Sequence, residues 1–233
     1  MRVSNRMLIS IVCLYGYAPF AWSGPEQRFD FETQPKEITW KAETTQPDAK
    51  AADWAIVTDA TAPSPARVLT IRRINDRARD VFNLYWTRDM AFENGTLEVR
   101  VRANSGNIDQ GGGLIWRVRD ARNYYLARYN PLERNLRVYL VTDGSRRQLA
   151  SAEISPILAG RWWQLRIAHT GSRITAWLDG VKHIQVADDS LSGAGGVGLW
   201  AKADAASSFD DLVAKRFRVL PASSHDVPEE NGL

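Results

Sequence analysis

The sequence of 233 residues contains a single cysteine, Cys13, which lies in a segment expected to be removed from the mature protein. Without cysteine, the remaining chain can form no disulfide and has no thiolate nucleophile or thiolate zinc ligand. A chain of this length can instead rest on a hydrophobic core. The mature protein is therefore expected to depend on packing for its stability, and cysteine-dependent catalysis is excluded.

Long hydrophobic runs are absent except near the N-terminus. Two arginines begin the chain, an apolar run follows over 7–20, and the small residues Ala21 and Ser23 come next. This order predicts a secretory signal peptide over 1–23. The run is short for an uncleaved membrane anchor, the alternative interpretation. A lipoprotein signal needs a small residue before Cys13, where this chain has valine. We expect a periplasmic or extracellular protein without membrane contact after cleavage.

A large excess of charge is absent as well. The whole chain has 30 basic and 27 acidic residues, and the signal peptide holds two of the basic ones and no acid. Subtracting these two leaves 28 basic residues against 27 acidic, a net charge of +1. The basic stretch RRINDRARD at 72–80 contains its own acids. A nucleic-acid-binding protein needs a concentrated basic patch, so no nucleic-acid partner is expected.

Helical periodicity is nearly absent, and short alternating runs recur between turn signals such as Asp143-Gly144 and Asp179-Gly180. This is the pattern of an all-β sandwich or barrel. We expect one domain over 24–220 and a disordered polar tail over 221–233. The expected strands are 28–32, 66–72, 81–86, 95–102, two strands within 111–130 around a turn at 120–123, 135–142, 146–154, 161–169, 172–180, 182–188, 195–202 and 208–219.

The alternation also predicts which side chains face the core. In GTLEVRVR at 95–102, Leu97, Val99 and Val101 share one parity. The same rule places 114, 116 and 118 in the core, together with 136, 138 and 140. The opposite parity holds Glu98, Arg100, Arg102, Arg117, Arg119, Arg137, Tyr139, Gln164, Arg166, Trp177 and Trp200. Such a face is either a ligand platform or a solvated sheet surface with ordinary cross-strand pairs.

Several segments in order resemble the concanavalin A-like lectin/glucanase superfamily. They are GGGLIWRVRDARNYYLARYNPLERNLRVYLVTDGSRRQLAS at 111–151, RWWQLRIAHTGSRITAWLDG at 161–180 and GGVGLWAKADAASSFDDL at 195–212. Within the superfamily they are most similar to LamG-like, DUF1080-type domains of bacterial exported proteins. The resemblance covers 29–219 and implies a two-sheet antiparallel jelly roll with adjacent terminal strands. It also implies a curved sheet whose concave side often meets carbohydrate.

Family 16 glycosidases of the same superfamily carry a Glu-x-Asp-x-x-Glu strand, which places a nucleophile and a general acid on one face. This sequence has no such triplet. A comparable strand at 95–102 offers only Glu98 among arginines, which keep a carboxylate ionised. We therefore expect no family 16 catalysis. Some DUF1080-type domains are assigned to hydrolysis of 3-keto sugars, and Glu98, Asp109 and Asp120 are candidates for that alternative.

The candidate ligand site follows from the arginines and aromatics. Sugar recognition uses a flat aromatic ring and planar donors, and arginine offers five donors in a rigid fork. Only six lysines accompany 24 arginines, which favours bidentate or stacking contacts. The candidate glycan-binding residues on the concave face are Arg117, Arg119, Arg128, Tyr139, Trp177 and Trp200.

A calcium site is the second candidate. Asp30 and Glu32 near the start and Asp210 and Asp211 near the end become neighbours if the terminal strands pair. Carboxylate oxygens suit calcium, and the resemblance implies a structural calcium near this edge. The alternative is ordinary acids at strand ends.

The three histidines show no catalytic or metal-binding spacing. The leading hypothesis is therefore a non-catalytic, monomeric carbohydrate-binding module, with an acidic glycan favoured by the arginines. The alternatives are a hydrolase of the 3-keto-disaccharide type and an adhesion module that binds protein. Paired titratable carboxylates in a cleft would favour the hydrolase, and a flat, charge-paired face would favour adhesion.

Overall fold

The structure, a computed structural model, describes residues 26–33, 36–155 and 160–216, and these residues form strands without a helix. The strands are β1 (Gln27–Phe29), β2 (Lys41–Thr44), β3 (Asp53–Thr58), β4 (Arg67–Arg73), β5 (Phe82–Phe92), β6 (Gly95–Ser105), β7 (Gly112–Asp120), β8 (Asn123–Asn130), β9 (Asn135–Thr142), β10 (Ser145–Glu153), β11 (Trp163–Thr170), β12 (Arg173–Leu178), β13 (Val181–Ala187), β14 (Gly195–Lys202) and β15 (Ala206–Arg216). The expected signal peptide at 1–23 and tail at 221–233 lie outside the described residues. In the described part of the chain, no helix has the length and apolar character needed to cross a membrane.

Two antiparallel sheets pack face to face, as the alternation and the resemblance predict. The eight-stranded sheet has the order β13-β12-β11-β6-β15-β4-β3, and β1 pairs with another part of β15. The seven-stranded sheet has the order β10-β9-β8-β7-β14-β5-β2. The terminal strands are adjacent, since Gln27 on β1 lies opposite Ala214 on β15. The fold is the predicted jelly-roll-like sandwich.

The core between the sheets is filled by the residues that alternation assigns to it. Leu97, Val99 and Val101 on β6 are fully buried in the same cluster as Leu136 and Val138 on β9. Burial alternates cleanly along β6, whereas β9 is buried on both faces, but in both strands the predicted set faces the partner sheet. The parity prediction is therefore confirmed for β6 and β9.

The parity prediction is wrong at the end of β7, because Arg117 forms a β-bulge. Trp116 lies opposite Val197 on β14 while Val118 lies opposite Gly196, so Arg117 is an extra residue between them. Its backbone is left-handed, with φ of 48°. A bulge inverts the alternation beyond it. Val118, expected in the inter-sheet core, accordingly packs in a cluster on the opposite face of its sheet.

The seven-stranded sheet carries this second apolar cluster on its outer face. The cluster's buried members are Phe82, Leu84, Trp86, Ile115, Val118, Tyr124, Leu126, Tyr139, Val141 and Trp200. Strands buried on both faces have nearly continuous apolar runs in their sequences, which explains why the segment NYYLARY at 123–129 has no clear alternation. The outer face of this sheet is therefore not an ordinary solvated surface.

A buried histidine links the bulge to the core. His169 on β11 is fully buried, and its Nδ1 accepts a hydrogen bond of 2.9 Å from the Trp116 indole N–H. Burial, with the nearby charge of Arg117, lowers the pKa of His169 to about 4. The imidazole is therefore neutral in the folded protein across the physiological range, as expected for a histidine with a packing role.

This histidine predicts a loss of stability in mild acid. The pKa of His169 falls on folding, so the unfolded chain binds the proton more readily between pH 6.5 and 4. Stability is full above pH 6.5, and about 3 kcal/mol is lost as pH falls through 4. His169→Gln keeps an acceptor for Trp116 but cannot titrate. Urea unfolding of both proteins from pH 7 to pH 4 should show a shallower decline in the variant, and equal slopes would contradict the assignment.

Candidate functional site

The outer face of the seven-stranded sheet is strongly curved. The Arg146 guanidinium carbon lies 4.3 Å from the centre of the Tyr139 ring and 4.9 Å from the centre of the Phe82 ring. Tyr139 is on β9 and Phe82 is on β5, four strands apart. Their rings are thus within about 9 Å of each other, although four strand spacings span roughly 19 Å in a flat sheet. The side chains of distant strands converge, so this face is concave.

A hydrogen bond across the same face supports this curvature. The hydroxyls of Tyr124 on β8 and Thr45, directly after β2, are 2.7 Å apart, although four strand spacings separate their strands. Burial raises the pKa of Tyr124, which keeps the phenol neutral. We call this outer face the concave face below.

Two arginines on the concave face share one carboxylate and one phenol. Arg128 donates to Asn135 Oδ1 at 2.7 Å, to Glu133 Oε2 at 2.8 Å and to the Tyr139 hydroxyl at 3.3 Å. Arg137 donates to the same hydroxyl at 3.3 Å and lies 3.1 Å from the same Glu133 oxygen. Burial acts to raise the pKa of Glu133, but hydrogen bonds from Arg128 and Asn135 and the two arginine charges lower it overall.

A third arginine approaches the same tyrosine from its ring face. Arg146 on β10 stacks on Tyr139 and Phe82, and its buried Nη1 has no hydrogen-bond partner among the described residues. Burial lowers the pKa of Arg146, and the charge of Arg128 adds to this effect. We call Arg128, Arg137 and Arg146, with Tyr139, the arginine cluster.

A buried carboxylate lies beside this cluster. Asp109 accepts a hydrogen bond of 2.8 Å from the Asn130 amide and one of 2.9 Å from the Lys202 ammonium. Burial raises the pKa of Asp109, while Lys202 and Arg128 partly oppose the shift. Both carboxylate oxygens are therefore engaged by side chains of the protein itself.

An open depression of about 310 Å³ lies on the concave face at Trp86. The Trp86 indole N–H donates to Glu43 Oε2 at 2.7 Å. Lys41 Nζ and Arg88 Cζ each lie 5.7 Å from the ring centre. The lining residues are Lys41, Glu43, Thr44, Thr45, Pro47, Trp86, Arg88, Asp120, Ala121 and Arg122. The depression thus offers positively charged donors and negatively charged acceptors around an indole that is only 2% exposed.

Of the six residues predicted to bind ligand, Arg128, Tyr139 and Trp200 lie on the concave face. Arg128 and Tyr139 belong to the arginine cluster. Trp200, predicted to bind ligand, is only 1% exposed and packs against Phe82 with ring centres 5.4 Å apart. The prediction for Trp200 is corrected, because its strand is buried on both faces and the indole forms the floor of the face rather than its surface.

Arg117 has a structural role instead of the predicted ligand contact. The side chain is buried and donates to three backbone carbonyls: Glu93 at 2.9 and 3.0 Å, Leu191 at 2.9 Å and Gly171 at 3.2 Å. Burial lowers the pKa of Arg117. The bulge redirects this side chain into three loop carbonyls and away from the concave face.

Two further ligand predictions are corrected. Arg119 donates to the backbone carbonyls of Ser192 and Ala194, so it fastens a loop. Trp177 lies in the eight-stranded sheet, beneath the Arg166 guanidinium carbon at 4.2 Å. Glu98, Arg100 and Gln164 lie in the eight-stranded sheet too. Alternation alone could not show this, because it separates the inner from the outer face of a strand but does not identify the sheet to which the strand belongs.

The four carboxylates of the predicted calcium site are used separately. Buried Asp210 accepts hydrogen bonds from Ser64, and burial raises the pKa of Asp210 to about 6. Asp211 pairs with Arg28 at 2.6 Å. Asp30 accepts from the backbone N–H of Glu32, and Glu32 accepts from that of Arg67. In the described ranges, no group of three or more acidic, histidine or cysteine side chains is placed to hold a metal.

The candidate catalytic acids are also far apart in the fold. Glu98 lies on the outer side of the eight-stranded sheet, opposite Arg166. Asp109 is buried beside the arginine cluster, and Asp120 lines the depression at Trp86. The structure therefore places two of the three on the concave face without grouping them at one point.

Three residues of the concave face, Phe82, Trp86 and Arg146, were not identified from the sequence. Trp86 and Phe82 lie in the run VFNLYW, where residues 82, 84 and 86 are apolar on the outer face, a signal that could have been found. Arg146 is adjacent to Arg147 in the sequence, but the two side chains have different partners in the fold. Arg146 stacks on Tyr139, whereas Arg147 pairs with Asp188 at 2.8 Å. No local pattern distinguishes the two arginines.

No protein-family model and no curated protein matches the sequence. Solved structures share the fold. The carbohydrate-binding module CBM66 from Bacillus subtilis has a TM-score of 0.57 at 20% identity, with 73% of this chain and 92% of that chain covered. A Bacillus subtilis protein of unknown function with a galectin-like fold has 0.58 at 10%, covering 85% and 99%. The Bacillus licheniformis beta-glucanase has 0.54 at 9%, covering 84% and 100%.

The role of Arg117 yields a stability prediction. Arg117→Met is expected to reduce the free energy of unfolding by about 3 kcal/mol, because three carbonyls lose a charged donor. The matched control is Arg119→Met, an exposed residue of the same strand, for which we expect a loss below about 1 kcal/mol. Urea unfolding measures both. A loss for Arg117→Met as small as that of the control would contradict the structural role.

Proposed function

We propose that this protein is a non-catalytic, lectin-like carbohydrate-binding module that holds a glycan on its concave face. The depression at Trp86 carries this proposal. Ligand sites in proteins are concave and combine apolar surface with a few well-placed polar groups. Trp86, only 2% exposed, forms the wall of the depression, and Glu43, Lys41 and Arg88 supply an acceptor and donors along it.

The fold comparison supports the same class of function. One structure with this fold is a carbohydrate-binding module, and another is a beta-glucanase. A shared fold does not fix function, so the weight of the proposal rests on the concave face. The closer resemblance to LamG-like, DUF1080-type domains is part of the proposal and rests on the segments at 111–151, 161–180 and 195–212.

The shape of the face argues against the adhesion alternative. An adhesion module that binds protein is expected to have a flat face with paired charges. Here the rings of Tyr139 and Phe82 converge from strands four positions apart. A curved face suits a chain of sugar rings better than a flat protein surface.

A hydrolase is the second candidate, and one observation favours it. Asp109 and Glu133 interact electrostatically on the concave face, and their pKa values move in opposite directions. Carboxyl groups with separated pKa values are the pattern of an acid and base pair. Because both oxygens of Asp109 are held by Asn130 and Lys202, this candidate ranks below the binding module.

Export and a monomeric state belong to the same proposal. The order of charged, apolar and small residues at 1–23 supports a signal peptide. A mature domain over 24–220 would then meet glycans outside the cytoplasm. N-terminal sequencing of the protein recovered from its native compartment tests the cleavage after Ser23.

The binding proposal predicts a difference between two tryptophans. Trp86→Phe should weaken glycan binding about tenfold, because loss of the indole N–H releases Glu43 and removes part of the ring that positions Lys41 and Arg88 around the depression. Trp177→Phe is the matched control on the eight-stranded sheet. Binding of the full chain and both variants to a broad glycan panel measures the effect, with thermal unfolding as a check that each variant folds.

Two results would contradict this assignment. Equal loss of binding in both variants would show that the effect is not local to the concave face. Loss in Trp177→Phe alone would move the site to the eight-stranded sheet. Release of reducing sugar from a panel member by the full chain, abolished in Asp109→Asn, would instead establish the hydrolase.

A further inference from the structure

Arg146 differs from its neighbours in the arginine cluster, because it has no carboxylate. Arg128 and Arg137 share Glu133, and Lys202 pairs with Asp109. Four cations therefore meet two carboxylates, and both carboxylates are already engaged. Within the described ranges, no ion pair of Arg146 exists and its buried Nη1 lacks an acceptor.

The surroundings of Arg146 hold it in place without neutralising it. Tyr139 and Phe82 present ring faces 4.3 and 4.9 Å from its guanidinium carbon. Cation–π contacts orient the guanidinium plane but offer no oxygen acceptor. Burial of an unpaired cation costs free energy, which an anion bound at this point would recover. The Arg146 guanidinium is thus charged, held in a fixed orientation by the two rings, and without an acceptor for its buried Nη1.

Guanidinium geometry identifies the matching group. A planar fork of N–H donors fits a carboxylate bidentately. The Arg146 site lies on the concave face, against the largely buried rings of Tyr139 and Phe82. An anion delivered there on a carbohydrate would be the carboxylate of an acidic sugar unit.

We propose that the concave face binds an acidic glycan and that the carboxylate of a uronic acid unit pairs with Arg146. This inference rests on the proposed carbohydrate-binding function and specifies its ligand class. Arg146 then determines specificity by charge, while the polar residues that line the depression at Trp86 contact the neutral part of the glycan.

The test compares a uronic acid oligosaccharide, its methyl ester and a neutral glucan oligosaccharide of equal length. Calorimetric titration of the full chain should show binding of the free acid about tenfold or more tighter than of the ester, since a charged hydrogen-bonded pair is lost on esterification. Arg146→Gln should remove this preference. Arg146→Lys, which keeps the charge but not the fork, should show an intermediate preference.

Arg147→Gln is the matched control, because Arg147 is the next residue on β10 and pairs with Asp188 away from the concave face. It should retain the preference for the acid. Loss of preference in Arg147→Gln and Arg146→Gln alike would indicate diffuse charge attraction and overturn the role of Arg146. Thermal unfolding of each variant establishes that it is folded before binding is compared.

The remaining outcomes separate this inference from the proposed function. Equal affinity for acid and ester in the full chain, unaffected by Arg146→Gln, would overturn the acidic-glycan inference and leave a carbohydrate-binding module standing. Failure to bind the acid, the ester, the glucan or any member of the broad glycan panel would overturn both.

Discussion

The seven-stranded sheet is buried on both of its faces, and the concave face depends on this arrangement. Its inner side packs against the eight-stranded sheet through residues such as Leu114 and Leu199. Its outer side carries a second cluster that includes Trp86 and Trp200. Curvature brings the outer side chains together across several strands, and their contacts exclude water from the floor of the trough. Polar groups near this floor act in a medium of low polarity, where an unpaired charge matters most.

Arginines in this protein have distinct physical roles that follow from what each one contacts. Arg117 is satisfied entirely by backbone carbonyls and fastens three loops. Arg128 is satisfied by side chains of its own sheet and shapes the trough. Arg146 touches aromatic rings and lacks an acceptor for its buried Nη1. Arginine thus fastens loops at position 117, supports the shape of the concave face at position 128 and is a candidate ligand contact at position 146.

Much of the fold was predictable from the sequence, and the site only partly so. Alternation in β6 and β9 identifies core residues, because each strand there has one face on the inter-sheet core. The turn at Asp143-Gly144 was predictable from residue preference, and both residues have positive φ. The bulge at Arg117 was not, since nothing local marks where a strand gains an extra residue. Trp177 and Trp200 also looked alike, because alternation carries no information on which sheet a strand joins.

The pairing of β1 with β15 has a consequence for how the molecule can be attached to something else. Gln27 and Ala214 lie opposite each other in the eight-stranded sheet, while the concave face is the outer side of the other sheet. Both ends of the described domain therefore lie in the sheet that does not carry the trough. A tether joined at these strands would be attached to the opposite layer of the sandwich, so attachment and ligand binding would use different sheets.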